Sequence, residues 1–116
     1  MIEKQKVEIK FPERYITMPP MEAKKATTLT NISISTAVTH TFNTTSYLVE
    51  LKNRGNYDVI IKYLTATDSN AVTDATRDIV LEAYETKWVY INTGVHTGFS
   101  ILSIDTASEK LYLTEY

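Results

Sequence analysis

The chain has 116 residues, no cysteine and a formal charge of −2 at neutral pH. That length fits one domain of the common size, ~100 to 150 residues. The absence of cysteine excludes disulfides and thiolate chemistry, and the charge balance gives no electrostatic reason to expect a nucleic-acid partner.

Apolar residues make up 43% and charged residues 22%, an ordinary globular balance. Thr, Val, Ile and Tyr are abundant beside three Gly and three Pro, which favours pleated, half-buried strands. The opening MIEKQKVEIK lacks the apolar stretch of a signal peptide, and no run approaches the ~18 apolar residues of a membrane span. The expected site of synthesis is therefore a cytosol.

Residues 1–26 carry six basic and four acidic side chains, so a segment of charge +2 precedes a body of charge −4. Val7, Ile9 and Phe11 alternate with Glu8 and Lys10 and predict one short strand. Met18-Pro19-Pro20-Met21 should run extended, because proline removes amide donors and biases its predecessor away from the helix. Such a segment is either an arm laid on a neighbour or an edge strand on its own body. As an arm, it would bring Val7, Ile9, Phe11, Tyr15, Met18 and Met21 to an interface.

From Thr28 the pattern has period two. Ile32, Ile34, Val38, His40 and Phe42 share one parity, as one long strand or two joined at Thr36-Ala37. Tyr47, Val49 and Leu51 then alternate with Glu50 and Lys52. After the turn signal Arg54-Gly55-Asn56, the apolar run from Tyr57 to Leu64 reads as the more buried second strand of a hairpin. Residues 65–78 are small and polar, a long loop with room for a helical turn between Ala71 and Arg77.

Ile79, Leu81 and Ala83 predict a strand, although Val72, Ala75, Ile79 and Ala83 also fit helical spacing. Lys87 to Ile91 is another strand, with Trp88 and Tyr90 on one face. Phe99 to Ile104 and Leu111 to Tyr116 read as a closing hairpin about a small polar turn. If Leu111 and Leu113 point inward, Tyr112, Thr114 and Tyr116 point out.

About eight strands with turns every ~8 to 12 residues predict an all-β fold. The expected architecture is a single antiparallel β-sandwich, jelly-roll-like, over residues 27–116, with residues 1–26 as an extended N-terminal arm.

Chemical signals are sparse. His40 shares a face with Val38 and Phe42 and reads as a core or interface residue. His96 lies in a Gly-flanked segment and reads as exposed. A zinc site would need further ligands. Asp68, Asn70, Asp74 and Asp78 raise the question of calcium, but the EF-hand spacing fails at its fifth and sixth positions. Glu82 and Glu85 have no cleft that would make them a glycosidase pair. No nucleophile elbow or phosphate-binding glycine loop occurs. The reading is of a protein that is not an enzyme, with no cofactor and no metal. Asn31-Ile32-Ser33 and Asn43-Thr44-Thr45 match a glycosylation triplet that matters only in a secretory pathway.

The second half of the chain carries a resemblance. YLVELKNRGNYDVIIKYL, DIVLEAYETKWVYI and GFSILSIDTASEKLYLTEY resemble the small β-sandwich accessory proteins of tailed-phage virions. The matching pieces are Lys52-Asn53-Arg54-Gly55-Asn56, Ala83-Tyr84-Glu85-Thr86, and Ile104 to Ser108 with Thr114-Glu115. The likeness spans residues 47–116 and departs at Ala83-Tyr84, where family members often carry Pro-Gly.

The resemblance implies a virion structural protein that decorates a capsid or forms part of the head-to-tail or tail apparatus. Its partner would be the major capsid or tail protein, without nucleic acid or membrane. Self-association as a trimer or larger ring would involve Tyr112 and Tyr116, after synthesis in the bacterial cytoplasm. The alternative is a carbohydrate-binding sandwich in which Trp88, Tyr90 or Tyr112 stacks on sugar rings.

Overall fold

The computed structural model describes the backbone of residues 7–11, 14–18, 22–104 and 108–116, and the side chains of residues 22–104 and 110–116. Two strands precede the body, β1 (Val7–Phe11) and β2 (Arg14–Met18). They pair antiparallel with each other, Val7 opposite Met18 and Phe11 opposite Arg14. The sequence predicts only the first. The second is the run Arg14–Met18, in which Tyr15, Ile16 and Thr17 are β-prone.

Eight further strands follow: β3 (Lys25–Ile32), β4 (Val38–Thr41), β5 (Leu48–Asn53), β6 (Val59–Thr65), β7 (Ile79–Leu81), β8 (Thr86–Tyr90), β9 (His96–Ser103) and β10 (Ser108–Glu115). β3 starts at Lys25, so the last two residues of the expected arm belong to the sandwich. There is no helix among the described residues. Residues 71–77 contain only a turn, with the Thr76 amide donating to the Thr73 carbonyl.

The strands form two four-stranded antiparallel sheets, ordered β3-β10-β5-β8 and β4-β9-β6-β7. Successive strands change sheet at every connection except β6 to β7, which is the strand order of a jelly roll. Two expected hairpins are thereby corrected. β5 and β6 lie in opposite sheets, and so do β9 and β10. Alternation reports only which side chains face the core, and both sheets face the same core, so a hairpin and a crossover leave the same pattern.

At the β5–β6 corner the buried Asn53 replaces the tight turn. Its Oδ1 accepts from the Gly55 amide at 2.9 Å, and its Nδ2 donates to the Tyr57 carbonyl at 2.8 Å and the Glu82 carbonyl at 3.1 Å.

The core sits between the sheets. Val49 and Leu51 of β5, Val59 and Ile61 of β6, Phe99 and Ile101 of β9, and Leu111 and Leu113 of β10 are buried. Phe42 and Phe99 meet edge to face, with centroids 4.8 Å apart. Full burial of such side chains stabilises by about 1.5–3 kcal/mol each.

Ile32 reaches the core although its β3 neighbours of like parity, Thr28 and Thr30, are exposed. Asn31 intervenes in the left-handed region (φ 52°), which asparagine tolerates better than most residues. Ile34 and Tyr47, expected inside, are 52% and 50% exposed. Each lies beyond a strand end, where the alternation no longer applies.

Gly98 faces Thr41 across the β4–β9 ladder. A Cβ there would lie 2.1 Å from the His40 carbonyl oxygen, so the close approach requires glycine.

Candidate interaction face

One outer face of the sandwich is covered by the chain itself. Segment 66–78 lies over the β4-β9-β6-β7 sheet. The buried Lys62 ammonium donates to Asp68 Oδ1 at 2.9 Å and to the Asn70 carbonyl at 3.3 Å. The Val72 amide donates to Ser100 Oγ at 2.9 Å, and the Tyr63 amide donates to Asp78 Oδ2 at 2.8 Å. Val72 of this segment and Ile60 and Leu64 of β6 are buried apart from the main core cluster. Lys62 holds the Asp68 carboxyl below its ordinary range, with the Asn70 amide adding to the effect.

The acidic side chains of this segment, which raised the question of calcium, are committed separately. Asp68 serves Lys62, Asp78 serves a backbone amide and Asp74 pairs with Arg77. No group of three or more His, Asp or Glu side chains converges among the described residues.

The outer face of the β3-β10-β5-β8 sheet is open among the described residues, and register divides it into two ends. At one end Trp88 and Tyr116 rings lie 5.5 Å apart, tilted by 31°. Tyr90, 79% exposed, and Trp88, 46% exposed, follow the outward parity of β8. Tyr47 adjoins the same end, its backbone bonded to Tyr116 and to Ile91, with the Lys24 ammonium 5.3 Å above its ring. That geometry suits a cation–π contact.

Toward the other end a cleft of about 460 Å³ is lined by Glu50, Lys52, Arg54, Tyr112 and Thr114, and it reaches back to the Trp88 row, because Glu50 stands opposite both Thr114 and Trp88. Tyr112 stands opposite Lys52 and Thr114 opposite Glu50. Glu50 and Lys52 pair at 3.3 Å. Tyr112 and Tyr116 therefore both leave the core, as expected, but serve different ends of the face. Val7, Ile9, Phe11, Tyr15, Met18 and Met21 lie outside the residues whose side chains are described.

A second polar cluster is buried. His40 Nε2 donates to Glu115 Oε2 at 2.7 Å, and Glu115 Oε1 accepts from the Asn43 amide at 2.8 Å. Glu115 is 0% and His40 4% exposed. Burial holds the His40 imidazole below its ordinary pKa of 6.5; the hydrogen bond to Glu115 opposes that shift without reversing it.

The pair ties β4 of one sheet to β10 of the other, which makes it a structural crosslink. His96, expected exposed, is half-buried as the first residue of β9, its ring 4.6 Å from that of Tyr63. The Glu82–Glu85 pair is a turn: Glu85 Oε1 accepts from the Glu82 amide.

Fold and site together define an antiparallel jelly-roll sandwich that, among the described residues, presents one open sheet face. No family model, curated protein or solved structure matches the chain.

Proposed function

We propose that the chain is a non-enzymatic structural protein of a tailed-phage virion, which docks on the capsid or tail shell and associates with further copies of itself. The observation that supports this reading is the asymmetry of the two outer faces. One is covered by segment 66–78, whereas the other exposes Trp88 and Tyr90 beside Tyr116. Trp and Tyr are the residues that most often anchor protein interfaces, because they bring large contact area at low conformational cost. Jelly rolls serve in viral capsids as well as in lectins, so the fold is compatible with a virion role by analogy.

In this reading the aromatic end is the contact between copies and the chain resides in the virion after synthesis in the host cytoplasm. The experiment is light scattering on the full chain, with co-sedimentation on purified phage shells. The expected result is a trimer or larger ring that binds shells, and a monomeric Trp88→Ser/Tyr116→Ser variant with an unchanged circular dichroism spectrum. A wild-type chain that stays monomeric at all concentrations and ignores shells overturns the proposal.

A further inference from the structure

The far end of the open face carries an arrangement that self-association does not use. β10 and β5 run antiparallel with Leu111 opposite Asn53, and the ladder continues as the Arg54 amide donates to the Lys110 carbonyl at 2.9 Å. Arg54 and Lys110 therefore stand directly opposite each other, both exposed and both on the outward parity. Like charges at directly opposed positions destabilise a sheet.

Nearby Lys52 has its carboxylate in Glu50. Among the described residues the Arg54 and Lys110 side chains have none. The next outward row holds Tyr112 and the one beyond it Thr114, both lining the cleft, and β3 places Thr28 opposite Tyr112 and Thr30 opposite Lys110.

We propose that this cleft binds a uronic-acid saccharide, with a sugar ring against Tyr112 and its carboxylate held by Arg54 and Lys110. The Arg fork matches a planar carboxylate with two parallel hydrogen bonds, and a second cation opposite it neutralises the same group. An aromatic face receives the apolar side of a pyranose ring, while Thr28, Thr30, Thr114 and Glu50 supply hydroxyl and carboxylate partners for ring hydroxyls. A neutral sugar would leave the opposed cations uncompensated, and a simple acidic peptide would leave the Tyr112 platform without a ring to stack on. This inference can be tested apart from the assembly reading, because Arg54, Lys110 and Tyr112 lie outside the cross-strand row that holds Thr114, Glu50 and Trp88, and away from Tyr90 and Tyr116.

Calorimetric titration of the full chain tests it, with an oligomannuronate, a neutral mannan oligosaccharide of equal length and polyglutamate as probes. The expected result is saturable binding of the oligomannuronate only. Arg54→Gln and Lys110→Gln should each weaken it about tenfold, the loss of one charge-assisted bond. Tyr112→Phe should keep the affinity and Tyr112→Ser should lose it, with unchanged thermal unfolding and oligomeric state in all four variants. Absence of oligomannuronate binding, equal binding of the mannan, equal binding of polyglutamate, or indifference to Arg54→Gln would each overturn the proposal.

Discussion

Glu115 is a carboxylate buried next to the end of the chain, and its surroundings explain why it is tolerated there. It accepts one bond from His40 and one from the Asn43 amide, which leaves neither oxygen bare. The sequence contained the signal for this: Glu115 shares parity with Leu111 and Leu113, as His40 does with Phe42, so the alternation puts both on the core face.

Because burial lowers the His40 pKa, the unfolded chain binds more protons than the folded one as the pH falls through 6.5. Stability is therefore full above that pH and declines below it, until the folded ring also protonates. Urea unfolding should show a lower midpoint at mildly acidic pH than at neutral pH, and His40→Gln should remove most of the difference. A decline that persists unchanged in the variant would refute the assignment. His40→Ala, which leaves Glu115 buried without its ring partner, should cost about 3 kcal/mol at neutral pH.

Between elements, Asn53 and Lys62 decide the path of the chain. Both read as ordinary polar residues, one at a strand end and one inside an apolar run. Their roles depend on groups brought in from other parts of the chain: the Glu82 carbonyl for Asn53 and Asp68 for Lys62. No local pattern encodes such partners, which is why the corner after β5 was legible as a turn but not as a passage between sheets. Removing the amide leaves several corner groups without their partner. Asn53→Ala should cost about 2–3 kcal/mol in chemical denaturation. A loss below ~0.5 kcal/mol, the range of ordinary surface substitutions, would mean that the corner holds without it.

For the whole molecule, the boundary between the N-terminal segment and the sandwich matters most. The Lys24 amide donates to the Glu115 carbonyl at 2.7 Å, and Lys25 pairs with Glu115 across the β3–β10 ladder. A truncation after residue 26 would cut into β3, whereas one after residue 21 spares it. Removal of residues 1–21 should leave a cooperative unfolding transition and, if the segment is an arm, reduce self-association in light scattering. Loss of the transition would place the segment in the fold of the body.

The sequence by itself determined the all-β class, most of the inward-facing residues and the outward placement of Trp88, Tyr90, Tyr112 and Tyr116. Those follow from period-two sterics, which act between near neighbours along a strand. Only the tertiary structure decided which sheet each strand joins, because backbone hydrogen bonds are chemically alike and any strand edge can accept another. That same choice set Arg54 opposite Lys110 and, among the described residues, left one outer face open while segment 66–78 covered the other.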